Sequence, residues 1–451
     1  MRFFSGFIFL LMASTMSSAL AASHQNAIKQ LKTIVQQQEI ALAKQSEEIK
    51  QQQQMLRHLS KKLNHLARKR TQKPRGASSS LVSTRTLRYA NDSVLTQAIS
   101  PEDVTTIPRH QLILGSKKAH TSLSGQISVV GFQADDGKFN RTYIGTNSIS
   151  NSRFNINSEL LFSPALTLGS RIQLGLKTNP SESISQTQPN SSSIQIRRAE
   201  AYLKTKRWGT LTFGQGETAS DNTAYADLSD TEIAGRASVE DIGGGLYFNG
   251  VSSNPQVRDA FNGLDGFSRK VRLRYDSPKF HGALVSASLI AGSHSDIALK
   301  WGKQLGKTKV AVELAYTSPK NISSGSNRAR GNETNGSLSI VLPAGLSLTS
   351  AAGQVRANSA GRKNPYYYYI KPGYEFHYFK MGLTALSLDY GQYYNFNQNK
   401  DKGTTHGAQV VQDFNPLDLA VYMGYREFAL SSPGRRFSDI HLFLMGAMYQ
   451  F

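Results

Sequence analysis

The sequence predicts an all-β fold, a sixteen-stranded antiparallel transmembrane β-barrel, preceded by an α-helical coiled-coil segment. Three observations predict it. The chain closes on an alternating strand, Ser438 to Phe451, in which Phe443, Met445, Ala447, Tyr449 and Phe451 share one face, because strand side chains alternate with period two. From Thr121 onward such strands recur, joined by connections that alternate between short and long. Residues 28–66 instead carry an unbroken heptad.

The closing strand is apolar on one face, aromatic at one rim and finished by a terminal Phe. A barrel needs such a strand where it closes in lipid. The opposite face carries Gln450, Gly446 and other mostly smaller residues. An ordinary buried strand is the competing reading. The ending also resembles the C-terminal signature of Gram-negative outer-membrane proteins.

Composition agrees. The chain has 451 residues, 39% hydrophobic, with no cysteine; its mean hydropathy is −0.38. Disulfides and thiolate metal sites are thereby excluded. Past the N-terminus no window approaches a helical membrane span, a test that barrels evade because only alternate residues face lipid. Net charge is +21, of which residues 1–118 supply +12 and residues 119–451 supply +9. That balance suits anionic polymers or solutes. No nucleic-acid module is present.

Residues 1–22 read as a signal peptide, with Arg2, an apolar run from Phe3 to Met12 and the small-x-small site Ala19-Leu20-Ala21. Residues 23–70 form the coiled coil. Its a positions are Ile28, Val35, Leu42, Ile49, Leu56 and Leu63; its d positions are Leu31, Gln38, Gln45, Gln52, Leu59 and Leu66. The Gln layers weaken the seam but restrict its register. At 1.5 Å per residue the heptads make a rod of roughly 60 Å. A solvated helix or a disordered Gln-rich tract competes, and six unbroken a positions argue against it. Residues 71–118 are a basic, Ser/Thr-rich linker. Arg68-Lys69-Arg70 and Lys73-Pro74-Arg75 are either a solvated charge run or a contact for anionic lipid or wall polymer.

The expected strands begin with Ser122–Gln133, Asn151–Phe162, Ala165–Thr178, Ser193–Thr205 and Trp208–Gln215. Ser268–Asp276, Gly282–Ala291, Ile297–Gln304, Lys307–Thr317, Glu333–Leu342 and Gly345–Ala357 follow. Tyr366–Phe376, Lys380–Tyr393, Thr404–Phe414, Leu417–Phe428 and Phe437–Phe451 complete them. In the third, Leu166, Leu168, Ile172, Leu174 and Leu176 oppose Thr167, Gly169, Arg171, Gln173 and Lys177, which is apolar out and charged in, as a wet lumen requires. Long connections fall at 134–150, 179–192, 216–267, 319–332, 358–365, 394–403 and 429–436. Short turns on one rim and long loops on the other are the outer-membrane pattern. An even strand count puts both barrel ends on the short-turn, periplasmic rim, and the coiled coil then projects into the periplasm.

Three stretches resemble the Gram-negative general porin family. They are Arg197 to Lys204 (R-R-A-E-A-Y-L-K) with Trp208 to Gln215 (W-G-T-L-T-F-G-Q), the turn Arg274 to Gly282 (R-Y-D-S-P-K-F-H-G), and the terminal Phe451. The resemblance covers most of 119–451, the barrel domain. It implies a homotrimer in outer-membrane lipid that passes small hydrophilic solutes and ions by passive diffusion. It also implies a third long loop folded into the pore, its acidic rim facing an arginine ladder. Segment 216–267 holds that position and carries Glu217, Asp221, Asp227, Asp230, Glu232, Glu240 and Asp241. Alternation points Arg153, Arg171, Arg197, Lys270, Arg272 and Arg274 at the lumen. Opposed charge rows across a narrow pore orient dipolar solutes and filter ions. The loop departs from the family in lacking its compact P-E-F-G-G-type tip, and Gly243 to Phe248 reads as an extra strand-like piece.

Tyr366-Tyr367-Tyr368-Tyr369 reads as an interfacial girdle in preference to a stacking track for sugars. No nucleophile elbow, phosphate loop, zinc signature or cofactor motif occurs. His294 between serines is the one feature that suggests a hydrolase, and an accidental loop histidine explains it better. The leading expectation is therefore a diffusion porin with a modest preference for anions and no enzymatic chemistry. The alternatives are a structural tether, with the coiled coil contacting peptidoglycan and little conductance, or a solute-specific channel.

Overall fold

The computed structural model describes residues 111–319 and 331–451, together with Gln36. The expected signal peptide 1–22, coiled coil 23–70 and most of the linker 71–118 lie outside the described residues.

Eighteen strands form one antiparallel sheet that closes on itself. In chain order they begin with β1 (Leu112–Gly115), β2 (Ala119–Asp135), β3 (Asn140–Thr146), β4 (Ser152–Ser163), β5 (Leu166–Thr178) and β6 (Ser192–Thr205). Next come β7 (Gly209–Glu217), β8 (Arg269–Asp276), β9 (Ala283–Ile290), β10 (His294–Leu305), β11 (Thr308–Ser318) and β12 (Glu333–Val341). The last are β13 (Leu346–Val355), β14 (Tyr366–Phe376), β15 (Thr384–Tyr394), β16 (Lys402–Phe414), β17 (Leu419–Ser431) and β18 (Ile440–Gln450).

These strands occupy sixteen staves. Strands β3 and β4 share one, because β3 pairs with one half of β2 and β4 with the other. Strand β1 takes no stave of its own and pairs with β2 just beyond the end of β18. The linker's last residues are thus already part of the sheet. Closure is β18 on β2, where Gly125 N donates to Phe451 O at 2.7 Å and Phe451 N to Gly125 O at 2.9 Å. The Phe451 ring lies over Gly125, leaving no space for a Cβ there.

The expected loop 134–150 is corrected. It contains β3, folded back on β2 through the turn Asp136–Phe139. Asp136 Oδ1 accepts from Lys138 N and Phe139 N, and Gly137 takes a positive φ of 80°, a side-chain-capped turn that Asp and Gly favour. Tyr143 then packs inward on Phe132, ring centroids 5.3 Å apart, while Ile144 points out. Seven residues that open on the polar Asn140-Arg141-Thr142 give too weak a periodic signal to read as a strand.

The outer face follows the expected alternation. Phe443, Met445, Tyr449 and Phe451 are exposed, as are Leu168, Ile172 and Leu176. The inner face of β18 differs from expectation. Ile440, Leu442 and Leu444 are fully buried, so the lumen holds an apolar core on that side. What covers them is the long connection after β7.

Candidate pore constriction

Residues 218–268 turn inward and run along the lumenal wall of β9 to β17. Ala219 N donates to Ser288 Oγ on β9 at 2.7 Å, and Ser220 N to Asp296 Oδ2 on β10 at 3.0 Å. Ala226 N and Leu228 N each reach a β12 serine, Ser337 and Ser339, at 2.9 Å. Thr231 meets Ser387 on β15 at 2.7 Å, and Tyr393 donates to Ala237 O at 3.2 Å. An unpaired chain inside a barrel must find partners for its amides, and the inward Ser residues of successive staves supply them.

The second arm is held differently. Ile242, Leu246, Phe248, Val257, Phe261 and Leu264 pack on Tyr367, Tyr393, Phe428, Ile440 and Leu442 from the wall, and on Ile184 from the β5–β6 connection. The Phe261 ring lies 5.1 Å from both Tyr393 and Phe428. Gly243 to Phe248 forms no strand; it makes one bridge, Tyr247 to Gln256. The tyrosine run splits by alternation. Tyr366 and Tyr368 face outward, whereas Tyr367 and Tyr369 are buried inside.

The arginines lie mainly on β4 to β8, the staves that the polar arm leaves uncovered. Arg153 on β4 is buried. Arg171 on β5 keeps 39% side-chain exposure while sitting 3.4 Å from Glu200 and 4.6 Å above the Tyr202 ring. Arg197 on β6 donates from Nε to Gln173 Oε1 at 2.7 Å. On β8, Lys270 is exposed, Arg272 is buried, and Arg274 pairs with Asp276 at 2.8 Å. Arg274 Nη1 also donates to Thr218 O at 3.0 Å, tying the wall to the root of the loop.

The acids have separate fates. Glu217 belongs to β7, so the loop starts at 218; it pairs with Arg198 and lies 3.6 Å from Arg269. Asp221 is 4.0 Å from Arg269. Asp227 is buried against Lys371 of β14 at 2.7 Å. Burial alone would raise its carboxyl, but Lys371 and the Ser229 bonds hold it below the usual range. Asp230 is exposed at the tip, with a positive φ of 54°. Glu232 pairs with Arg236 at 3.2 Å, and Arg236 continues to Asp241 at 2.9 Å. Burial pushes Glu232 up to about 7 against the pull of Arg236. Burial, together with Asp241, pushes Glu240 up to about 8.

Strict alternation missed several lumenal charges. At a bulge opposite Gln173 and Leu174, β6 turns both Arg197 and Arg198 inward, as an extra strand residue allows. Glu200 receives Arg272 at 2.6 Å; Lys300 pairs with Glu313 at 3.1 Å, and Arg426 with Asp389 at 2.7 Å. Lys371 was legible in principle, since it shares the inward face of β14 with Tyr367 and Tyr369. His294 opens β10 with its ring 5.5 Å from Phe267. Among the described residues no group is arranged to hold a metal ion.

Known structures share this architecture. A loop-deletion mutant of OmpT, an outer membrane protein of Vibrio cholerae, superposes with a TM-score of 0.52 at 15% identity, covering 74% of this chain and 100% of that one. The anion-selective porin from Comamonas acidovorans gives 0.51 at 12% identity, with 74% and 100% covered. At such identities the likeness shows the fold. No curated protein sequence matches the chain. The family model for Gram-negative porins matches residues 115–431, which takes in seventeen of the eighteen strands whole or in part. A closed barrel with an inturned third loop and a family match of that length lead to one conclusion: this chain belongs to the Gram-negative porin family.

Proposed function

We propose that this outer-membrane channel passes small hydrophilic solutes and ions by passive diffusion, with a modest preference for anions. One observation carries the reading. The polar arm of 218–268 is bonded to the lumenal wall from β9 to β15, and the guanidinium-rich staves β4 to β8 form the next sector of that wall. Arg153, Arg171, Arg197, Lys270, Arg272 and Arg274 are the proposed basic wall. Asp230 and Glu232, at the tip, are the loop acids we place nearest the permeating ion; Glu217, Asp221 and Asp227 act through their partners. The barrel domain's +9 charge supports anion preference.

The family supports a homotrimer in outer-membrane lipid; the even strand count and the heptad of 28–66 support the proposal that the coiled coil lies on the periplasmic side, where it contacts peptidoglycan. Planar-bilayer conductance with reversal potentials tests the channel. Absence of conductance in the intact protein would favour a structural tether, and deleting 23–75 would then abolish envelope attachment. A saturable, solute-blocked current would favour a solute-specific channel; linear flux would exclude it.

A further inference from the structure

Lys371 sits in the middle of β14, facing inward, with no exposed side-chain surface. Its ammonium holds two points of the loop at once, Asp227 Oδ2 at 2.7 Å and Gly235 O at 2.6 Å. Those two points are the feet of one turn. Inside the turn, Asp227 Oδ1 accepts from Ser229 N at 3.0 Å, and Thr349 of the wall donates to the same oxygen at 3.1 Å. Beneath the second foot, a Cβ on Gly235 would stand 2.8 Å from Gln409 and 2.9 Å from Arg426. The turn is therefore seated directly on the wall. Within it Thr231 is buried on Ser387 at 2.7 Å and Ile233 O accepts from Asn147 Nδ2 at 2.9 Å, while at its crest Asp230 is exposed and Glu232 half-buried.

We infer that Lys371 is a positioning residue for selectivity: by clamping Asp227 and Gly235 it fixes where Asp230 and Glu232 stand in the pore. This rests on the channel reading above. It assigns Asp227 to the clamp, not to the filter. The physical reason is directional. Without Lys371, Asp227 is a buried carboxylate with no countercharge, a costly state. Lumen water lies close by, so the turn relieves that cost by lifting off β14 and hydrating the carboxylate. The Asp230 and Glu232 side chains then shift as both feet lift, with Thr231 on Ser387 and Ile233 on Asn147 as the anchors that remain.

The test compares the full-length protein with Lys371→Met in planar bilayers, assembly being checked by heat-modifiable migration. The inference expects assembled channels with a several-fold rise in open-channel noise and a reversal potential shifted toward chloride as the crest acids withdraw. Assembled channels with unchanged noise and reversal potential overturn it. Should Lys371→Met fail to assemble, the double variant Lys371→Met/Asp227→Asn removes the orphaned charge and is read by the same criteria. Failure of both to assemble also overturns it, since Lys371 would then serve barrel folding. Should the unmodified protein not conduct, the channel reading fails by itself. The clamp is then read from Asp230→Cys, unique in a chain without cysteine. Faster labelling by a membrane-impermeant maleimide in the Lys371→Met background supports the clamp, and equal rates refute it.

Discussion

Arg272 Nη2 donates to Glu200 Oε2 at 2.6 Å, the pair bridging β8 and β6 across the lumenal face of β7. Gly216 makes the crossing possible, because a Cβ there would stand 2.1 Å from Glu200 Oε2 and 2.9 Å from Arg272 Nη2. Arg272 also donates to Glu217 O at 2.7 Å and Gly214 O at 3.0 Å. Both side chains are almost fully buried. Glu200 also has Arg171 at 3.4 Å and Arg198 at 3.9 Å, so losing Arg272 removes its shortest partner and leaves the Glu217 and Gly214 carbonyls without this donor. Arg272→Ala should therefore destabilise the barrel by about 1–3 kcal/mol. Glu200→Gln/Arg272→Ala should recover none of that loss, because Glu200 also serves Arg171 and Arg198. Thermal unfolding followed by gel migration reads both, and an Arg272→Ala barrel as stable as the parent would refute the assignment.

The bulge in β6 gives a second expectation. With Arg197 and Arg198 both inward, Arg197→Ala and Arg198→Ala should each move the reversal potential toward cations. If β6 alternated strictly, only the first would. Arg198→Ala also removes a partner of Glu217, so its effect should include a lower unfolding temperature. A variant of Arg198 with the parent's selectivity and stability would show that the bulge does not matter to the pore.

Phe261 anchors the apolar arm between Tyr393 and Phe428. Phe261→Ala should cost about 3–5 kcal/mol, through lost burial and the cavity left behind. Loosening 242–264 should also widen the lumen, so single-channel conductance should rise. Unchanged conductance would mean that this arm does not border the permeation path.

Glu232 brings a pH dependence. A carboxyl raised to about 7 favours the folded loop at low pH and loses that contribution as pH rises through about 7. In the same window the crest gains negative charge. Cation permeability should therefore increase from about pH 6 to about pH 8, and Glu232→Gln should flatten the change. A parent channel whose reversal potential is constant over that range would contradict it.

The barrel was legible because lipid imposes a rule on every second residue. Leu168, Ile172 and Leu176, or Phe443, Met445 and Tyr449, had to alternate with polar neighbours whatever the remainder of the protein did. Local turn chemistry fixed the rims in the same way, as in the Pro164 and Pro343 connections. All sixteen expected strands have counterparts at their staves. Strand β3 escapes because seven residues are too few to establish a period, and the inner face of β18 differs from expectation because the apolar loop arm that covers Leu442 and Leu444 is brought there only by barrel closure.

The candidate site was legible only as a list of charges. Sequence by itself determined that Arg171, Arg197, Arg272 and Arg274 belong to inward faces, and that acids crowd the third long loop. It could not determine which charges meet, because those partners are set by barrel closure across large sequence separations. Asp227 and Lys371 are 144 residues apart, and nothing local to either announces the other. Tertiary structure alone decided that Asp227 is bound into the wall while Asp230 stands open. The physical reason is that strand alternation is a local consequence of backbone geometry, whereas the strength of a charge depends on its surroundings, and only the closed barrel supplies those.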